Sequence, residues 1–235
     1  MTIYSILVFS LVIILIIYSS YTTEGFQDTQ PTIIGYFHVC QLGDWRRSFD
    51  LSMDTLKKYG LLHATKELRI GILSETGAYE DDPRFHDPKL SIVYSGTLSE
   101  YERPTLLHMR ENSFKDPSDT LYYYVHTKGI KHFNTKNEPA LITWINSMLH
   151  WNFELWRDAV KILETYETYG IHYGGKHYSG NFWWATAKHI QKLPATIPDY
   201  YTAPEDWVLL NKDGMYCAYN CGEAFVSPYP QDFYQ

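Results

Sequence analysis

Cysteine is scarce: Cys40, Cys217 and Cys221 are the only three in 235 residues. Three thiols cannot staple a disulfide scaffold, and their spacing forms no paired metal-ligand pattern. Cys217 and Cys221 read either as a bridge formed in an oxidising lumen or as two free buried thiols. No lysine or arginine precedes Arg46, so the basic region of a secretory signal is missing. The chain holds no N-x-S/T sequon, no D-x-D, no H-E-x-x-H array, no internal repeat and no low-complexity tract. Positive charge is also short. Twenty basic against 27 acidic residues give a net charge of -7, which argues against nucleic acid as a partner, because that would demand a broad basic face.

Aromatic residues are abundant instead, at 17% with 21 Tyr and 7 Trp. Such side chains bury large areas and keep a polar handle, which suits both a core and the stacking of sugar rings. The length allows one sizeable core. Residues 3–17 are almost wholly apolar, and with Tyr18 to Tyr21 the run reaches about 28 Å as a helix, near the thickness of a hydrocarbon core. It exceeds a usual signal-peptide apolar region, so an uncleaved single-pass anchor is expected over 1–21, then a short stem over 22–31 and a folded domain over 32–235. Glu24 and Asp28 after the segment favour a lumenal or extracytoplasmic domain.

Residues 32–39, 67–73, 89–94 and 121–126 read as strands rich in β-branched and aromatic residues. Between them lie a helix capped by Asp44 and closed at Gly60, and another from about Pro104 to Glu111. A long helical stretch begins at Pro139, as one helix or two end to end. Residues 169–173 suggest a short strand, Trp183 to Leu193 a helix closed by Pro194, and 202–211 a further short helix. This alternation predicts an α/β fold with a doubly wound, mainly parallel sheet and flanking helices.

Chemistry concentrates where the tyrosine-rich strand LYYYVHTKG ends. In an open parallel sheet the crevice at the carboxyl ends of the strands is where ligands bind. His126, Thr127, Lys128 and Gly129 occupy that position, and Lys131, His132 and Lys136 follow, forming a local positive patch suited to phosphate. A solvated basic loop is the alternative for the later residues. SETG follows the second strand, and HYSGNFWWA and PEDW come later. In HYSGNFWWA, Ser179, Gly180 and Asn181 form a tight turn that presents His177 and one tryptophan to ligand; Trp183 and Trp184 cannot share a face of a helix, so one belongs to the core and the other is free for stacking. Thr202-x-x-Glu205 also matches a capping box, so Glu205 and Asp206 read either as chemistry or as helix-start acids.

In YVHTKGI, HYSGNFWWA and PEDWVL the chain resembles GT-A type glycosyltransferases, in particular a poorly characterised glycosyltransferase-like group in large DNA viruses and algae. It is more loosely similar to rhamnan-synthesis F type proteins. The resemblance spans residues 32–210. It implies a nucleotide-sugar donor over the carboxyl edge of the first four strands and a glycan or glycoprotein acceptor held by the later segment. On that resemblance Asp206 is the base with Glu205 beside it, and Glu75 lies near the nucleoside. The family usually holds a divalent cation, Mn or Mg, on a D-x-D after the fourth strand, where this chain has His126, Thr127 and Lys128. Lys128, with His126 and Lys131, then supplies the positive charge that a departing diphosphate needs. His126 with Asp81 and Asp82 is the other metal arrangement the sequence allows. Two further readings stand beside transfer: a membrane-anchored carbohydrate-binding module without turnover, and a metal-dependent hydrolase.

Overall fold

The tyrosine run forms the central strand of a seven-stranded sheet, and each of its residues, Leu121–His126, is buried. A computed structural model of the chain describes residues 31–220. The strands are β1 (Ile33–Cys40), β2 (Glu67–Ser74), β3 (Leu90–Thr97), β4 (Leu121–His126), β5 (Thr168–Ile171), β6 (Trp183–Thr186) and β7 (Met215–Tyr219). Their order across the sheet is β3-β2-β1-β4-β6-β5-β7. The first four run parallel; β6 runs antiparallel to both β4 and β5, and β7 is parallel to β5. The expected α/β class with a mainly parallel sheet is therefore present.

Side chains alternate between the two faces of each strand, so each aromatic run feeds two cores. Phe37, Tyr123, Val125 and Trp184 pack on one face with Phe49 of helix Trp45–Lys58 and Met148 of helix Glu138–Leu149. Tyr36, Tyr122, Tyr124 and Trp183 pack on the other with Leu106 and Met109 of helix Arg103–Ser113 and with Trp207 of helix Ala203–Trp207. The three buried hydroxyls of β4 each find a partner, as buried polar groups must. Tyr122 donates to Asp116 at 2.8 Å, Tyr123 pairs with Thr65 at 3.2 Å, and Tyr124 donates to Glu102 at 2.7 Å.

Helix Trp45–Lys58 lies close to where the sequence places it, and Gly60 takes the left-handed conformation expected past its end, although the Asp44 side chain makes no capping hydrogen bond. The stretch after Pro139 is two helices, Glu138–Leu149 and Trp156–Ile162, joined by a π-helical turn at His150–Glu154. The expected helix over 183–193 is a correction. Trp183–Thr186 is a strand, and only Ala187–Lys192 is helical. Pairing with β4 on one side and β5 on the other outweighs the helical spacing of the apolar residues. The helix expected over 202–211 shortens to Ala203–Trp207. The anchor and stem expected over 1–21 and 22–31 lie outside the described residues, apart from Pro31, as does Cys221. Among the described residues no helix is long and apolar enough to cross a membrane.

Candidate functional site

Because β1 to β4 run parallel, their carboxyl ends share one edge of the sheet. A cleft of about 550 Å³ opens there, lined by His38 and Cys40 at the end of β1, Leu73 near the end of β2, and His126 to His132 following β4. The reversed direction of β6 brings a distant stretch to the same edge. Tyr124 of β4 pairs with Trp183, so the turn before Trp183 lies beside the end of β4. His177, Ser179 and Gly180 accordingly line the cleft, as does Glu205. The strand-end cations and one member of the later acidic pair thus face one hollow, as the sequence requires of a shared site.

The strand end is tightly tied. His126 donates its Nε2–H to the carbonyl of Gly180 at 2.9 Å, which leaves Nδ1 as the bare nitrogen of a neutral ring. Burial first, and then the Lys128 charge, push its pKa down to about 4. His126 is therefore uncharged near neutrality, and the positive charge expected of it falls to Lys128 and Lys131 alone. The Thr127 hydroxyl oxygen accepts from the Cys40 backbone N–H at 2.9 Å, and the Thr127 N–H donates to His38 O at 2.9 Å. The Lys128 carbonyl accepts from Ser48 Oγ at 3.1 Å, so the lysine side chain leaves an anchored backbone. Gly129 has φ of +69°, and a Cβ there would lie 2.1 Å from Leu141 Cδ1, so only glycine fits this turn. Lys136 does not line the cleft.

Also in the cleft lining, His177 Nδ1 donates to Asp206 Oδ1 at 2.9 Å. Nε2 then carries the lone pair, with Glu205 Oε2 4.0 Å from it. Asp206, expected as the base, stands behind His177 rather than on the cleft surface. The capping box does not form: Thr202 makes no side-chain capping hydrogen bond, and its carbonyl alone receives the Glu205 and Asp206 N–H groups. Gly180 has φ of +84°, and a Cβ there would lie 2.2 Å from Met148 Sδ. Asn181 is fully buried, also at positive φ. It donates through Nδ2 to Glu102 Oε2 at 2.5 Å and accepts from Trp183 Nε1 at 2.8 Å.

Other expected site residues fall elsewhere. Glu75 is exposed in the turn after β2 and does not line the cleft. Trp183 and Trp184 are both fully buried, on opposite faces of β6, so neither offers a stacking surface. The exposed aromatics of the cleft are Tyr101 and Tyr201, edge to face with ring centroids 5.4 Å apart. With Glu102 and His38, these are cleft residues that sequence reasoning missed. They sit in connecting segments or at single strand positions, with no spacing to mark them.

The residues present do not fit the divalent cation that the resemblance to GT-A enzymes implies. At the end of β4, His126 Nε2 is committed to Gly180 and Lys128 brings a cation of its own. Asp82 accepts from Arg46 at 2.9 Å and also binds Arg84, while Asp81 pairs with His86 at 3.1 Å. Among the described residues no group of three His, Cys, Asp or Glu side chains is placed to hold a metal ion. What fold and site together define is an α/β protein with a cleft of mixed polar and apolar lining at the carboxyl edge of a mainly parallel sheet. Compared with known proteins, the sequence matches no family model and no curated protein at a significant level.

Proposed function

We propose that this chain is a GT-A type glycosyltransferase that moves a sugar from a nucleotide-sugar donor to a glycan or glycoprotein hydroxyl. The observation that carries the reading is the single cleft shared by Lys128, Lys131, His177 and Glu205. The cleft, of about 550 Å³, holds both cationic groups and a proton acceptor. Sugar transfer with inversion needs both at once.

In the proposed step the acceptor hydroxyl oxygen bonds to the anomeric carbon as the bond to the diphosphate oxygen breaks. The electron pair of the broken bond leaves with the nucleoside diphosphate. Lys128 and Lys131 counter the charge that develops there. The hydroxyl proton passes to His177 Nε2, and the imidazolium that results is stabilised by Asp206 at Nδ1. Asp206 is then a positioning residue, and His177, with Glu205 beside it, is the group that meets substrate. The apolar run of residues 3–21 supports a membrane tether, with the domain on the lumenal or extracytoplasmic side.

The test is to incubate the full-length chain with a panel of nucleotide sugars and glycan acceptors, with manganese and with EDTA, and to measure nucleoside diphosphate release. Release from one donor supports transfer, and its loss in folded Lys128→Ala and His177→Ala variants assigns the site. Full activity in both variants refutes the assignment. A binding module without turnover is the second reading, favoured by the poor fit of the strand end to a metal-bound diphosphate. It predicts that donors or glycans bind and that no diphosphate is released.

A further inference from the structure

Glu102 precedes helix Arg103–Ser113 with its side chain only 17% exposed, and it lines the cleft. One carboxylate oxygen is fully used. Oε2 accepts from Tyr124 OH at 2.7 Å and from Asn181 Nδ2 at 2.5 Å, and Asn181 is itself fixed by Trp183. Because a carboxylate is planar, this pins the other oxygen as well. Oε1 lies 3.8 Å from His126 Nδ1. That nitrogen is the bare one, since the ring's single N–H is spent on Gly180.

Two acceptors therefore face each other across a gap too long for a hydrogen bond. Acceptors that line an open cleft are satisfied by water until a ligand brings donors of its own. A ligand that displaces this water from the cleft side needs hydrogen-bond donors on neighbouring atoms to serve both acceptors. Phosphate is unsuited, being an acceptor that Glu102 would repel. Adjacent hydroxyls on a sugar ring fit, each able to donate to one acceptor. The exposed pair Tyr101 and Tyr201 lines the same cleft and offers aromatic surface for the C–H face of such a ring.

We infer that Glu102 Oε1 and His126 Nδ1 form a paired acceptor site for vicinal hydroxyls of a sugar ring, walled by Tyr101 and Tyr201. The inference rests on reading the cleft as a nucleotide-sugar site and names the part that grips the sugar. Glu102 then acts as a specificity residue: a sugar whose hydroxyl at either position is removed or inverted loses one hydrogen bond to a charged or fixed acceptor.

The decisive variant is Glu102→Gln. Tyr124 and Asn181 both donate to one oxygen, so the amide oxygen must take that place and the amide nitrogen must replace Oε1. An acceptor becomes a donor, and it points at His126 Nδ1. Saturation-transfer NMR on the full-length chain would use methyl glycosides of glucose, galactose, mannose and N-acetylglucosamine, alongside uridine and guanosine diphosphates. At least one glycoside is expected to bind the wild type, with affinity falling about tenfold or more in Glu102→Gln and about threefold in Tyr201→Ala. The loss should fall on the glycoside rather than on the diphosphate. Should Glu102→Gln fail to fold, Tyr201→Ala carries the test, since Tyr201 is 72% exposed. No glycoside bound by the wild type, or unchanged affinity in the folded variants, overturns the inference. Glycoside binding with no diphosphate bound overturns the transferase reading and leaves this site standing; diphosphate binding with no glycoside does the reverse.

Discussion

Lowering the pH from about 7 to about 5 should destabilise this fold before its carboxylates begin to protonate. His38, His126 and His172 are each less than a tenth exposed, and burial is the first cause holding each ring's pKa at about 4. In the unfolded chain a histidine titrates near 6.5. Above that value neither state is charged, and the rings do not affect stability. Between about 6.5 and about 4 the unfolded chain binds protons that the folded chain refuses, so stability falls as pH falls. Below about 4 the folded rings protonate too, and the loss levels off. A gap of about 2.5 units at about 1.4 kcal/mol per unit is worth roughly 3–4 kcal/mol per ring. His38 and His126 pair across β1 and β4 and repel when charged, so their contributions couple rather than add. The total still reaches several kcal/mol, a large share of the roughly 5–15 kcal/mol that stabilises a domain. Asp116, tied to Arg69 at 2.7 Å, and Glu167, tied to Lys192 at 2.6 Å, have lowered pKa values and lose their contribution only at lower pH. Urea midpoints measured across the window should therefore shift steadily from about pH 6.5 downward, with unchanged slope. Midpoints that stay flat to about pH 4.5 would refute the burial argument.

On the proposed transferase reading, replacing Lys128 by Ala should cut nucleoside diphosphate release by about a hundredfold with the melting temperature unchanged, because that reading sets the cation against leaving-group charge in the transition state. Asp206→Asn should lower kcat by more than tenfold with little change in KM, a smaller loss than in His177→Ala, and a pH–rate profile should show the altered imidazole. Gly129→Ala, with its Cβ driven into Leu141 at positive φ, should cost about 1–3 kcal/mol by thermal denaturation. Asn181→Ala strips a partner from both Glu102 and Trp183, so a loss of about 2 kcal/mol or more is expected in urea titration.

The first four strands are legible in the sequence because each is a short run of β-formers bounded by polar or turn residues. HTKG could be placed because a parallel strand must end where ligands bind. The stretch at Trp183 is different. Its aromatic start runs straight into a true helix at Ala187–Lys192, and only the two neighbouring strands make Trp183–Thr186 extended. That local miss has a global consequence. A helix there would leave the position of the preceding turn unspecified, whereas an antiparallel strand beside β4 forces His177 to Asn181 onto the carboxyl edge. The acidic pair shows the same limit. Adjacent residues on a helix point about 100° apart, and here Glu205 lines the cleft while Asp206 does not. Sequence marks the pair, but the His177 ring decides between them by taking Asp206 as its partner. Glu102 carried no signal at all, because its importance comes from three residues far apart in the chain: Tyr124, His126 and Asn181. What joins them is again the reversed strand, which sets Asn181 and Gly180 against the end of β4. The direction of β6 is therefore the feature on which the whole candidate site depends. Disrupting its pairing, as in Ala185→Pro, should abolish diphosphate binding and glycoside binding together, where a substitution at either wall removes one more than the other.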